Sequence, residues 1–144
     1  MTTESDVMKI KAVLEAVNRA YHERDAGGVV AHYTPDAHIS DLAPPLSHRI
    51  DKDGIASWFG TWEGPVDREA RDLHITAAGD LAFGHAYVKV SAVTKQGGHR
   101  AAWWMRATWC LHREQGAWKI AHEHTSVPFL MDGSFRAAVD LTPS

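Results

Sequence analysis

The sequence predicts an α+β domain in which three N-terminal helices pack on one face of a mostly antiparallel sheet. Before Gly64, apolar residues recur at steps of three and four, the spacing of one face of a helix. After Gly64-Pro65 the period changes to two, and short glycine-containing links separate four long segments of this kind. Helices followed by a run of strands form an α+β order, with the helices gathered on one side of the sheet.

Length and composition indicate a single globular domain. The chain has 144 residues, of which 44% are apolar, enough to bury roughly 70% of the surface that it exposes when unfolded. Its one cysteine, Cys110, excludes internal disulfides and cysteine-rich zinc sites. The 15 basic and 18 acidic residues are scattered, so nucleic acid is not an expected partner. No segment approaches the roughly 20 apolar residues of a membrane helix. We therefore expect a soluble, cytoplasmic protein without a membrane partner.

The first two helices follow from apolar spacing and from capping residues. Helix one is predicted over about 4–24, capped by Thr3 or Ser5, with an apolar stripe of Val7, Ile10, Leu14, Val17 and Tyr21. Asp25 is predicted to cap a short second helix that runs through Tyr33 and stops at Pro35. Proline disfavours a helical conformation in the residue before it, which sets that end.

The remaining elements are predicted in chain order. A short strand over 37–41 ends at Ala43-Pro44-Pro45, and Asp51 caps a third helix that carries Ile55, Trp58, Phe59 and Trp62. Long strands follow at about 66–78, 81–95, 99–113 and 117–127. The tight links between them predict antiparallel neighbours. Residues 128–144 lack periodicity, so the predicted domain is 1–127 with a tail that wraps the surface or a partner.

The strand over 99–113 has two different faces. One is entirely apolar and must meet the helices: Ala101, Trp103, Met105, Ala107, Trp109 and Leu111. The other carries Trp104 and no acidic residue, which predicts that a second subunit covers it in a homodimer. The alternative is that Trp104 is a lone surface aromatic residue.

The strand over 81–94 also has two faces. One carries small apolar residues, and the other carries Phe83, His85, Tyr87 and Lys89. If the polar face points toward the helices, its polar groups must find partners or line a cavity, because unpaired buried polar groups are costly. The residues alone leave open whether this face lines a cavity or meets solvent.

Three segments together resemble a known family. They are 30–41 (VAHYTPDAHISD), the Ile55-x-x-Trp58-Phe59 helix and 116–126 (GAWKIAHEHTS). They resemble the nuclear transport factor 2-like superfamily of cone-shaped α+β proteins, especially its SnoaL-like and ketosteroid isomerase-like branch. The last segment also resembles the association domain of calcium/calmodulin-dependent kinase. The resemblance covers about 5–127 and implies a cone-shaped barrel with a strongly curved sheet. This scaffold hosts isomerases, dehydratases, cyclases, epoxide hydrolases and proteins without catalytic activity.

The resemblance places Asp41 where ketosteroid isomerases have their catalytic base. The helix-one tyrosine of those enzymes falls on Val17, and their protonated aspartic acid falls near Thr108 and Trp109. Both donors to the developing oxyanion are therefore missing, and ketosteroid isomerisation itself is not expected.

The resemblance also implies which side chains of the strands point into the cone. Glu123 falls where SnoaL-like cyclases have an acidic pocket residue, and the same face would carry Lys119, Ala121 and Thr125. A one-residue slip of the alignment would instead turn His122 and His124 inward, since side chains alternate along a strand. The kinase association domain implies that four further side chains point inward, namely His85, Tyr87, Lys89 and Trp109.

These residues predict a cofactor-independent acid–base enzyme acting on a small, largely apolar carbonyl or hydroxylated compound bound in the cone. Asp41 would move a proton, because a carboxylate at an apolar cavity mouth is desolvated and becomes a better base. Glu123 would serve as the counter-acid, and His85 and Tyr87 would orient or polarise the substrate. The predicted substrate contacts are Tyr33, Trp58, Lys89 and Trp109.

Structural alternatives stay open for these side chains. Asp41 beside Pro44-Pro45 could simply cap a turn, and Glu123 could pair with Lys89 or Arg106. His122 and His124 share a strand face, but no third ligand stands at a recognisable spacing, so no metal is predicted. The rival function is a non-catalytic ligand-binding or association module.

Overall fold

The computed structural model describes residues 4–144 and has the predicted α+β order. The helices are α1 Glu4–His22, α2 Ala26–Val30 and α3 Lys52–Phe59. The strands are β1 Tyr33–Ser40, β2 His48–Arg49, β3 Trp62–Ala78, β4 Leu81–Thr94, β5 Arg100–Glu114 and β6 Ala117–Ser126. The four long strands lie within a few residues of their predicted bounds, because the period of two and the glycine links define them well.

The six strands form one curved sheet in the order β2-β1-β6-β5-β4-β3. The last four strands are an antiparallel meander as predicted, while β1 pairs parallel with β6. Because β2 and β3 are free edges, the sheet is open and the expected barrel is not closed. Two register shifts in β3, between Glu63 and Asp67 and between Arg71 and His74, supply bulges of the kind that bend a strand.

Helix caps appear where the sequence predicts them. Asp25 accepts a hydrogen bond from the Gly28 backbone N–H at 3.0 Å, and Asp51 accepts one from Asp53 at 3.2 Å. Of the two caps suggested for α1, Ser5 lies inside the helix and Thr3 falls outside the described residues.

The second and third helices are shorter than predicted, since Tyr33 begins β1 instead of ending α2, and Trp62 begins β3 instead of belonging to α3. Pro35 does not interrupt β1, because the pairing of β1 with β6 shifts register between Tyr33 and His38. Proline has no N–H to contribute to a ladder, and a break in the ladder accommodates it.

The core lies between the helices and the inner face of the sheet. Ile10, Leu14 and Val17 of α1 are buried there. The apolar face predicted for β5 is confirmed as the inner one, since Met105, Ala107, Trp109 and Leu111 are buried.

The inward orientation expected for the polar face of β4 is wrong. His85 and Tyr87 are exposed and Lys89 is half-buried, while the small residues Ala82, Gly84 and Ala86 are buried against the core. Gly84 pairs with Trp109, and a Cβ built at Gly84 would lie 3.8 Å from the Trp109 ring. The small face therefore points inward because it makes room for large side chains of the core.

The last residues have structure of their own. Phe129 pairs with Ala137 across a bridge, and the Ala138 N–H donates to the Pro128 carbonyl at 2.8 Å. Ala138 is buried, so this segment returns to the domain surface. Within residues 4–144, none of the helices has the length and apolar character needed to span a bilayer.

Candidate active site

A cavity of about 490 Å³ opens between α3, the inner face of the sheet and the segment after β1. Four of the predicted site residues line it together: Asp41, Glu123, Tyr33 and Trp58. Most of the remaining wall is apolar, including Ile39, Ile50, Ile55, Val90 and Met105. Its size and lining are typical of a small-molecule site.

An aspartate and a histidine lie in contact at the mouth of this cavity. Asp41 directly follows β1, and the antiparallel pairing of β2 with β1 places His48 opposite Ile39. His48 Nε2 lies 2.9 Å from Asp41 Oδ2, and the side chains of His48 and Asp41 are 37% and 40% exposed. Desolvation at this mouth is thus weaker than the sequence led us to expect. Sequence analysis did not associate His48 with Asp41.

The hydrogen bonds of His48 favour its protonated form. Its Nδ1 lies 2.7 Å from the Arg49 carbonyl oxygen, which can only accept, so Nδ1 carries a proton. When the ring is protonated, Nε2 donates to the Asp41 carboxylate. The hydrogen bond to Asp41, followed by the bond to the Arg49 carbonyl, raises the pKa of His48 above its usual value.

Glu123 lies deeper and is held by two donors. The Tyr33 hydroxyl donates to Glu123 Oε1 at 2.6 Å, and the Trp109 indole N–H donates to the same oxygen at 2.8 Å. Glu123 is only 6% exposed. Among residues 4–144 no hydrogen bond is made to Oε2, so this oxygen is available to a ligand. Burial and the neighbouring Glu123 charge raise the pKa of Tyr33 well above its ordinary value, so Tyr33 acts as a neutral donor.

A β-bulge explains why Glu123 points inward. Leu111 pairs with Ile120 and Cys110 pairs with His122, which leaves Ala121 as an extra residue in β6. Ile120 is buried before the bulge and Glu123 is buried after it, so the inward side changes parity there.

The inward position predicted for Glu123 and Thr125 is confirmed, while that of Lys119 is wrong. Lys119 pairs with His112 on the outer side and donates to the Ala31 carbonyl at 2.6 Å. His122 and His124 also lie on the outer face.

The cavity contains an arginine that sequence analysis did not single out. The guanidinium of Arg68, from β3, lies over the Tyr21 ring with its Cζ 4.4 Å from the ring centroid. Its Nε is buried and has no hydrogen-bond partner. Burial raises the pKa of Tyr21, and the Arg68 charge offsets this only in part. No pattern in β3 distinguishes Arg68 from its charged neighbours, because a register shift precedes it.

The remaining predicted site residues lie elsewhere. Trp109 is buried beneath the cavity and positions Glu123, but it does not line the wall. His85, Tyr87 and Lys89 belong to the opposite face of the sheet, where the His85 ring stacks 5.3 Å from that of His74. They cannot contact a ligand in this cavity.

The outer histidines do not form a metal cluster. His38 Nδ1 lies 3.2 Å from His122 Nδ1, and His122 Nδ1 also lies 2.7 Å from the His38 carbonyl oxygen. Within residues 4–144, no three His, Cys, Asp or Glu side chains are arranged to hold a metal ion.

Comparison with known proteins identifies the family. The model of the SnoaL-like domain matches residues 10–130. This chain belongs to the SnoaL-like domain family. No curated protein matches the sequence significantly.

Solved structures share the fold of this SnoaL-like domain. An NTF2-like protein of unknown function from Pseudomonas putida KT2440 is 28% identical, with a TM-score of 0.86 over 99% of this chain and 100% of that one. A proposed dehydratase of the NTF2-like family from Streptomyces avermitilis is 19% identical, with a TM-score of 0.76 over 87% and 97%. A ketosteroid isomerase-like protein from Erwinia carotovora atroseptica is 22% identical, with a TM-score of 0.70 over 86% and 97%.

Proposed function

We propose that this SnoaL-like domain is a cofactor-independent enzyme that moves a proton on a small, largely apolar carbonyl or hydroxylated compound. The observation that carries the proposal is the contact of the Asp41 carboxyl group with the His48 imidazole at the mouth of an apolar cavity. A second carboxyl group, Glu123, faces the same cavity from its floor.

The two carboxyl groups have environments that suit different roles. Asp41 is partly exposed and can exchange its proton with solvent, while His48 can return a proton to it or to the substrate. Glu123 is buried, and its oxygen Oε2 is open to a ligand hydroxyl. In this mechanism Asp41 takes a proton from a carbon next to a carbonyl group and returns it to the same or a neighbouring carbon. Glu123 accepts a hydrogen bond from a hydroxyl group of the compound through Oε2 and so orients it.

Deuterium exchange tests the proposal without knowledge of the natural substrate. A panel of small cyclic ketones, beginning with 1-tetralone, is incubated with the protein in deuterated water. Proton NMR then follows loss of the signals next to the carbonyl group. We expect Asp41→Asn to lower the exchange rate by about 10²-fold or more. Asp36→Asn is the matched control, since Asp36 is an exposed residue of β1 that does not line the cavity.

The results distinguish the two functions. Equal exchange by the Asp41→Asn variant and the wild-type protein would remove Asp41 from the mechanism. Binding of panel compounds without any exchange would favour the alternative, a non-catalytic ligand-binding module. The alternative has support of its own, because the contact with His48 already engages one oxygen of the Asp41 carboxyl group.

We also propose that the outer face of the sheet joins two copies in a homodimer. This face exposes Phe83 at 49% and Tyr87 at 42%, and Trp104 lies beside Lys89 of the neighbouring strand. Exposed aromatic residues gathered on one face are typical of an interface. Light scattering at micromolar concentration should give twice the 15.9 kDa chain mass. Trp104→Glu should yield monomers, and Phe135→Glu, at another exposed aromatic residue, should not. A monomeric wild-type protein would contradict the proposal.

A further inference from the structure

Two buried hydrogen-bond donors on the cavity wall have no partner. They are Nε of Arg68 and Nε1 of Trp103. Buried polar groups in folded proteins are nearly always hydrogen-bonded, so an unpaired donor on a residue that lines a cavity points to a ligand that accepts a hydrogen bond. Both groups are donors only, which selects for an acceptor-rich ligand.

Arg68 also brings a positive charge into the cavity, where the Glu123 charge acts on it without forming a salt bridge. Arginine stays protonated at every physiological pH. The ion pairs formed within residues 4–144 do not include Arg68. Its guanidinium contacts the ring of Tyr21 instead. A planar guanidinium with a free N–H matches the geometry of a carboxylate.

We propose that the cavity takes a compound with one carboxylate and an apolar body, and that Arg68 holds the carboxylate. This inference rests on the proposed function, since it assumes that the cavity is the ligand site. Trp103 donates the second hydrogen bond, and the apolar body packs against Ile55, Trp58 and Met105. The substrate class is thereby narrowed to small apolar carboxylic acids that also carry a carbonyl or hydroxyl group.

The negative charges of the cavity do not prevent this arrangement. Glu123 is held through Oε1 by Tyr33 and Trp109, and its charge reaches Arg68 without a salt bridge between the two side chains. Asp41 contacts the His48 imidazole at the mouth. A ligand carboxylate beside Arg68 would therefore meet a guanidinium of the described cavity wall that forms no salt bridge and whose buried Nε has no hydrogen-bond partner.

A pair of matched probes tests the inference in the wild-type protein. Titration calorimetry at pH 7 compares 2-naphthoate, which is ionised, with 2-naphthamide, which has nearly the same shape and no charge. We expect naphthoate to bind at least about tenfold more tightly, as a charge-assisted hydrogen bond implies. Equal affinity, or tighter binding of naphthamide, would overturn the role of Arg68 and leave the proposed function standing. Failure of both probes to bind would contradict the cavity as a ligand site, and with it both proposals.

Variants identify the residue responsible. Arg68→Met should weaken naphthoate binding about tenfold or more and change naphthamide binding less than about twofold. Trp103→Phe keeps an aromatic ring but removes the indole N–H, and it should weaken naphthoate binding by a smaller factor than Arg68→Met. Arg71→Met is the matched control, because Arg71 is exposed and pairs with Tyr87 on the outer face of the same strand.

The cavity mouth holds a competing arginine, Arg49. Loss of naphthoate binding in Arg49→Met with none in Arg68→Met would overturn the assignment. If Arg68→Met does not fold, the two probes are compared in the wild-type protein and in Trp103→Phe. A preference for naphthoate that is smaller in Trp103→Phe supports binding of the carboxylate at this wall, and an unchanged preference contradicts it.

Discussion

Replacing Tyr33 with phenylalanine should destabilise the protein through a single hydrogen bond. The Tyr33 hydroxyl donates to Glu123 Oε1 at 2.6 Å, and both residues are almost fully buried, at 5% and 6% exposure. The variant keeps the aromatic ring, so packing changes little. Glu123 would retain Trp109 as its one donor within the described chain.

The size of the effect follows from the burial of the acceptor. Hydrogen bonds to charged groups contribute about 1.5–3 kcal/mol, and water cannot easily replace a donor in a buried position. We therefore expect the free energy of unfolding to fall by about 1.5–3 kcal/mol. For a chain of this length, the melting temperature should fall by about 5–10 °C.

Urea denaturation at one fixed protein concentration measures this change, because association would otherwise affect the midpoint. Thr142→Val is the control, since Thr142 is an exposed residue of the last segment, and it should cost less than about 0.5 kcal/mol. A Tyr33→Phe variant that loses no more stability than Thr142→Val would refute the proposed network around Glu123.

Three further predictions concern the mouth, the core and a helix cap. Because the pKa of His48 is higher in the folded protein than in the unfolded chain, protonation of His48 adds to the free energy of unfolding. This contribution is fully present below the unfolded pKa of about 6.5 and is lost as the pH rises through the pKa of His48 in the folded protein. His48→Gln should remove this pH dependence, which amounts to no more than about 1 kcal/mol because the side chain is partly exposed. Denaturation of the wild-type protein and the variant between pH 6 and 9 measures the difference. Gly84→Leu should destabilise the protein by about 1–3 kcal/mol, because a Cβ at Gly84 would already be in van der Waals contact with Ile75 at 3.5 Å and with the Trp109 ring at 3.8 Å, so the rest of a leucine side chain would overlap them. An unchanged denaturation midpoint would contradict the packing described for β4. Asp25→Ala should cost about 0.5–2 kcal/mol by removing the hydrogen bond to Gly28, and a melting temperature equal to that of the wild-type protein would count against this cap.

The elements of the fold could be predicted from the sequence because each has a local cause. The period of two defines the four long strands, and Asp25 and Asp51 cap their helices where expected. The end of α2 was predicted wrongly, because the local preference of the residue before Pro35 competes with pairing between β1 and β6.

The candidate site was predicted less completely, because it depends on contacts between distant residues. Asp41, Glu123, Tyr33 and Trp58 were found through the family resemblance. The inner face of β4 could not be chosen from alternation alone, since that choice depends on the space beside Trp109. His48 and Arg68 were missed because β2 has only two residues and β3 shifts register, so neither position carries a pattern.

The tryptophan indoles allow the most direct test of the cavity as the ligand site. Their N–H signals in a ¹⁵N-labelled sample would be followed by NMR during titration with 2-naphthoate. We expect the signals of Trp58 and Trp103, which line the cavity, to shift, while those of Trp104 on the outer face and Trp118 in the core stay in place. A shift of Trp104 with none at Trp58 and Trp103 would contradict the account.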